Sequence, residues 1–172
     1  MIALIVAVDK QGVIGREHMI PWRLRDDLIK LKELTAGRAV ILGRKTYDSM
    51  LTYYDRSGRP MPGALYIVVT RNRSYKPARD NATVAHSIED AIEAAENFGD
   101  DIMVIGGEQI FTAMLPCAQR IYLTEVQTVA AGDAHFPVID KKLWWEISRE
   151  HHSKDVHNDH DYDFVVFERN KS

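Results

Sequence analysis

At 172 residues, with 45% hydrophobic and 27% charged residues, the chain has the size and balance of one globular domain and lies outside the disordered and two-domain ranges. A formal net charge of −3 speaks against nucleic acid as the main partner, because phosphate binding wants a basic surface. The single Cys117 leaves no intrachain disulfide framework, which fits a reducing cytoplasm, and no apolar run comes near the ~20 residues of a membrane span.

Taken in order, strand-like runs rich in Ile, Val and Leu recur at 2–8, 39–42, 65–69, 82–86, 102–105, 120–124, 144–150 and 164–168. Between them lie helical patterns at 24–34, 45–50, 87–96 and 108–115. Ser87 with Asp90 three residues on predicts a capped helix start. Alternation of strand and helix through the first two thirds indicates a mostly parallel sheet flanked by helices. The last two strands have only the polar stretch 151–161 between them, so they should pair antiparallel at an edge. Residues 51–63, LTYYDRSGRPMPG, read as the longest irregular piece because of their Gly and Pro content. Cys117, in a Leu-Pro-Cys-Ala turn, reads as a packed, inert thiol, and Trp22, Trp144 and Trp145 as core or loop anchors.

The stretch 13–31 stands out for one carboxylate. Leu24, Asp27, Leu28 and Leu31 recur at helical spacing, so Asp27 shares the face of leucines that point inward. Its neighbour Asp26 lies about 100° round the helix and can be left in water. A carboxylate on an inward face costs free energy unless something hydrogen-bonds to it. The residues alone leave two readings open: a ligand with adjacent N–H donors, or an acid that balances Arg23 and Arg25 near a helix N-terminus.

Two strand-to-helix junctions carry glycine. Gly106-Gly107-Glu108 ends one buried strand, and Gly43-Arg44-Lys45-Thr46 ends another with two cations and a hydroxyl added. Neither is a dinucleotide G-x-G-x-x-G or a P-loop. Together with Arg71 they offer two anion-binding helix starts and enough positive charge for a pyrophosphate and an extra phosphate, which favours NADPH over NADH. His151, His152, His157 and His160, with Asp155, Asp159 and Asp161, read as a solvated edge-strand loop ahead of a metal site.

The ordered series IALIVAVDKQGVIG, IPWRLRDDL, VILGRKTYDS, GRPMPG, IMVIGGEQIF, RIYLTEV and GDAHFP resembles dihydrofolate reductase of the bacterial type, over essentially the whole chain. The resemblance implies an α/β domain spanning 1–172, an eight-stranded mostly parallel sheet with an antiparallel C-terminal edge and four flanking helices. It also implies NADPH-dependent reduction of 7,8-dihydrofolate to tetrahydrofolate for one-carbon metabolism, in a cytoplasmic monomer open to antifolate inhibitors. Asp27 would accept two hydrogen bonds from the amidine edge of the pteridine, supported by Thr124, with Ile5, Ala7, Ile20, Leu28, Leu31 and Ile105 lining the pocket. Asp27, Trp22 and Ile20 would carry the catalytic roles, Trp22 beside an ordered water and Gly15 and Ile20 on a loop that closes over nicotinamide. The cofactor would be held by Ala7, Ile14, Gly15, Gly43, Arg44, Lys45, Thr46, Thr70, Arg71, Ile105, Gly106, Gly107, Glu108, Gln109 and Ile110, the Gly-Gly peptide being cis in the family. The resemblance implies that no His, Lys or Cys stands beside Asp27 to protonate N5, so water is the expected donor while Asp27 polarises the ring from its far edge.

One departure matters. Where the family supplies an arginine for the α-carboxylate of the folate tail, Ala64 stands, and a methyl group does not replace a bidentate pair. Lys32, Arg59 and Arg56 are the candidate substitutes, and about seven extra residues fall within 51–57 on that side. Reduction of a tail-less dihydropterin, and non-catalytic binding of NADPH or pterin, are the competing functions. The resemblance also brings the 151–161 loop beside the closing loop, where Arg23 and Asp159 would form an exposed ion pair.

Overall fold

The apolar runs assemble into one sheet in the computed structural model, which describes residues 1–15 and 19–171. In chain order the elements are β1 (Ile2–Val8), β2 (Val13–Gly15), α1 (Arg25–Thr35), β3 (Ala39–Gly43), α2 (Arg44–Ser57), β4 (Leu65–Val69), β5 (Ala82–Ala85) and α3 (Ile88–Phe98). They continue with β6 (Ile102–Gly106), α4 (Glu108–Met114), a 3-10 turn at Leu115–Cys117, β7 (Arg120–Val126), β8 (Ala134–His135), β9 (Trp144–His152) and β10 (Tyr162–Arg169). Eight strands form the main sheet in the order β5-β4-β3-β6-β1-β7-β10-β9. Pairing is parallel from β5 to β7 and antiparallel where β10 meets β7 and β9, as the missing helix between the last two strands predicts. Strands β2 and β8 pair separately and were not anticipated from the sequence.

Alternation along the strands divides the core into two layers. On one face Leu4, Ile41, Val104 and Leu123 pack with Ala91 and Ala95 of α3 and with Phe111 and Met114 of α4. The other face is covered by the first two helices. Ala3, Ile5 and Met103 meet Leu31 and Leu34 of α1, while Val40, Leu42, Tyr66 and Val68 meet Tyr47, Met50 and Leu51 of α2. Ile105 packs against both groups, so the floor between α1 and α2 is continuous. Ser87 caps α3 as predicted, its Oγ accepting from the Asp90 amide at 3.1 Å.

Three expectations need correction. Residues 51–57 are helical, two further turns of α2, because every Gly and Pro of the stretch lies at 58–63 and Tyr47, Leu51 and Tyr54 continue one packed face. Gly58, at φ 66°, supplies the left-handed residue that ends the helix. Cys117 is exposed, since it closes a single 3-10 turn at the surface. Trp145 is 67% exposed on edge strand β9, next to a register shift opposite Val166/Phe167, whereas Trp144 is buried with the Arg169 guanidinium 4.5 Å from its ring.

β8 meets β2 with no room to spare. A Cβ built on Gly132, just before β8, would lie 2.2 Å from Val13 Cγ1 and 2.6 Å from the Gly15 carbonyl oxygen. Gly132→Ala is therefore expected to part the two strands and to cost about 1–3 kcal/mol, read as a lower urea midpoint. A midpoint equal to the parent's would show that the loop root yields freely.

Candidate active site

The inward carboxylate finds its partner on the sheet. Asp27, in the first turn of α1, is half-buried and accepts a hydrogen bond from Thr124 Oγ1 at 2.7 Å. Thr124 is buried in β7 between Ala7 of β1 and Phe164 of β10, its register partners on either side. Burial pushes the Asp27 carboxyl up to about 6, against the downward pull of the Thr124 hydroxyl. Arg23 does not balance it. The Arg23 guanidinium instead meets Asp159 at 3.2 Å, and its amide donates to the same carboxylate at 3.1 Å, forming the expected exposed pair. Asp26 is not left to water either: it is half-buried, and its carboxylate accepts from the Tyr162 hydroxyl.

Of the other residues predicted around the pteridine, Ile5 is buried, Ala7, Leu28, Leu31 and Ile105 are half-buried, and Leu31 packs in the cluster containing Ile5. Lys32 is exposed in the last turn of α1. Trp22 is buried, and its Nε1 has no hydrogen-bond partner among the described residues, which leaves an N–H donor free to hold a water. Ile20 is 54% exposed, and residues 16–18 of the predicted closing loop lie outside the described residues. Ile14 and Gly15 stand half-buried on β2 at the root of that loop.

The two glycine junctions are neighbours because β3 and β6 pair side by side, each ending where a helix begins. A Cβ on Gly43 would come 3.8 Å from both the Gly106 oxygen and the Gly107 nitrogen, and one on Gly107 would come 3.4 Å from Thr46 Oγ1. Gly106-Gly107 is cis. The N-cap positions of α2 and α4 are Gly43 and Gly107, so no N-cap side chain competes with a ligand anion for the first N–H groups of either helix. This cradle of bare backbone fits a pyrophosphate. Along the same ends of the parallel strands, Arg44 sits 3.6 Å from Asp48 and stacks over Tyr75, Lys45 and Arg71 are exposed, and Thr70 accepts from His86 Nδ1 at 2.8 Å. Glu108 and Gln109 are exposed, and Ile110 lies against Gly43.

Sequence reasoning missed Asp9. Its buried carboxylate accepts from the amides of Gln11 and Val13 through Oδ1 and of Ala130 through Oδ2, each at 2.8 Å, and so ties the loop root together. The signal was an Asp three residues before Gly12, a turn pattern. A groove of about 570 Å³, lined by Val8, Asp9, Leu123 and Phe136 among others, lies under this root on the α3/α4 face and contains none of the predicted site residues. His151 and His152 are paired with Asp163 and Glu150, contacts along the strands of the hairpin.

A half-buried carboxylate able to hold adjacent N–H groups, on the sheet face whose apolar floor runs through Ile105 to two glycine-started helices, suits a dinucleotide-dependent reductase of a nitrogen heterocycle. Comparison with known proteins makes the class specific. The family model described as dihydrofolate reductase matches residues 1–169. Dihydrofolate reductase of Staphylococcus haemolyticus is 39% identical over 168 residues, 98% of this chain and 95% of that protein. Its counterpart in Bacillus subtilis is 36% identical over 172 residues, covering 100% of this chain and 96% of the relative. A structure of dihydrofolate reductase from Enterococcus faecalis complexed with NADP(H) and RAB-propyl superposes with a TM-score of 0.87 at 32% identity, covering 99% of this chain and 97% of that one. The chain belongs to the dihydrofolate reductase family.

Proposed function

We propose that residues 1–172 form one dihydrofolate reductase domain whose substrate site is the Asp27–Thr124 pair and whose cofactor site is the twin glycine cradle. The reaction is NADPH-dependent reduction of dihydrofolate to tetrahydrofolate. The observation that carries the site assignment is the half-buried Asp27, held among the described residues by the Thr124 hydroxyl alone, with acceptor capacity to spare. Asp27 accepts the two N–H groups of the pteridine amidine edge, while Thr124 orients the carboxylate. Ile5, Leu28, Leu31 and Ile105 supply the apolar walls that raise its pKa and keep bulk water from the ring.

NADPH, when bound, supplies the hydride that goes to C6 of the pteridine. Gly43, Gly106 and Gly107 let backbone N–H groups close on its pyrophosphate, and Arg44, Lys45 and Arg71 give the cationic side to the ribose phosphate. Water held near Trp22 Nε1 protonates N5, and Asp27 polarises the ring from the far edge. The protein acts as a cytoplasmic monomer and takes antifolates at the Asp27 site. No helix among the described residues is long and apolar enough to cross a membrane.

The tail of the substrate is the specific test. Ala64 is half-buried and donates its amide to the Arg38 carbonyl, Arg56 and Arg59 are exposed at the end of the lengthened α2, and Lys32 is exposed at the end of α1. Saturable NADPH oxidation that strongly favours dihydrofolate over a tail-less dihydropterin is expected. Lys32→Ala is expected to raise the KM for dihydrofolate roughly three- to tenfold without changing that for the pterin. Equal turnover of both substrates by the parent would show that the tail site has been lost, and turnover of neither would favour a binding protein.

A further inference from the structure

Helix α1 begins without a cap of its own. Leu24 stands at its N-cap and offers no side-chain acceptor, so the amides of the first turn need partners from elsewhere. They come from the turn between β9 and β10. The Arg25 amide donates to the His157 carbonyl at 3.2 Å, and the Asp26 amide donates to Asn158 Oδ1 at 3.1 Å. Asn158 is wholly buried, and its own Nδ2 donates to Asp155 Oδ1 at 3.0 Å. It does for α1, from more than a hundred residues away, what a Ser or Asp at the N-cap does locally.

The side chains of the same turn are held from the sheet. Tyr162, 1% exposed on β10, donates its hydroxyl to Asp26, and Thr124 on the adjoining β7 donates to Asp27. Consecutive residues leave a helix about 100° apart, so these two bonds grip α1 from different directions. One such bond would let the helix roll about its axis; two fix the roll. The Tyr162 ring is fixed in turn, stacked on His152 at 5.1 Å with 4° between planes and set edge-on to Phe164 at 5.2 Å. Phe164 is the register partner of Thr124, so both donors ride on one packed unit.

We propose that Tyr162 and Asn158 are positioning residues for the reaction: through Asp26 they set the rotation and start of α1, and thereby the aim of the Asp27 carboxylate into the substrate cleft. This rests on Asp27 being the pteridine acceptor. The C-terminal hairpin thus takes part in substrate binding without touching the substrate.

Tyr162→Phe removes the hydroxyl and keeps the ring packing. Its expected effect is a rise of about three- to tenfold in KM for dihydrofolate with the KM for NADPH unchanged, since only the aim of Asp27 is altered. Asp26→Ala should give the same split, the double variant should be no worse than the worse single, and Asp26→Asn should recover most of the Asp26→Ala loss because its amide oxygen still accepts from Tyr162. Fluorescence titration with NADPH on the same samples counts folded sites, so poor folding is read separately. A parent-like KM for dihydrofolate in Tyr162→Phe, or equal rises in both KM values, would overturn the proposal. Asp27→Asn is the control: an inactive Asp27→Asn beside a parent-like Tyr162→Phe rejects the clamp alone, whereas an active Asp27→Asn rejects the reading beneath it as well.

Discussion

Asp27→Asn is expected to bind NADPH as the parent does and to lose roughly 100- to 1000-fold in dihydrofolate turnover at neutral pH. A carboxylate can take both N–H groups of an amidine edge and become more favourable as the ring gains positive character during protonation. An amide accepts one of those bonds and turns its own N–H₂ toward the second donor. Steady-state turnover together with NADPH titration checks this, and full turnover in the variant would remove Asp27 from the mechanism.

The same substitution has an opposite effect on stability. With its pKa raised from 3.8 to about 6, the folded protein binds the Asp27 proton more tightly than the unfolded chain does. The contribution of this group to stability is therefore fully present below pH 3.8 and is lost as the pH rises to about 6. Above that, the ionised acid weakens the fold by up to about 3 kcal/mol, an upper value because the side chain is only half-buried. Asp27→Asn should accordingly raise the urea midpoint at pH 7.5 and leave it near the parent's below pH 4. Identical midpoints at pH 7.5 would show that the carboxylate is well solvated in the free protein. Gain of stability with loss of turnover is the signature of a group kept for chemistry.

Much of this site was legible because its signals are local. Asp27 betrayed itself by sharing the face of Leu24, Leu28 and Leu31, and the glycine junctions by following short apolar runs. The parallel sheet followed from the same runs, since strands covered on both faces need continuous Ile, Val and Leu. What stayed hidden depends on residues distant in sequence. Asp26 looked solvent-bound because Tyr162 arrives from another part of the chain, and the start of α1 showed no cap because Asn158 provides it. The lengthened α2 was misread by pooling residues 51–63, although 51–57 hold no breaker and Tyr54 continues the face of Tyr47. Trp145 and Cys117 are exposed for a related reason: composition favours burial of both, and only their positions on an edge strand and a surface turn decide otherwise.

The cradle makes an equally sharp demand. Gly106→Ala is expected to lower the urea midpoint and to weaken NADPH binding at least tenfold, because Gly106 sits at φ 122°, where a side chain is strained by about 1–3 kcal/mol. A Cβ there would also lie 3.1 Å from Phe111 Cε2. Phe111 has little freedom to withdraw: it is buried and packed edge-on to Phe136 at 5.0 Å. Relief must come from the backbone that presents the Gly107 amide. Gly43→Ala separates this strain from occupancy of the cradle. Gly43 has an ordinary φ of −76°, and its Cβ would meet only the end of Ile110 closely, at 3.3 Å, before pointing toward the Gly106-Gly107 peptide. That variant should keep the parent's urea midpoint and still lose NADPH affinity, since the methyl group fills space the pyrophosphate needs. If both variants bind NADPH like the parent, the pyrophosphate does not lie between these two helix starts, and the cofactor assignment fails; if only Gly106→Ala loses affinity, the glycines serve the shape of the turn and not the approach of the ligand.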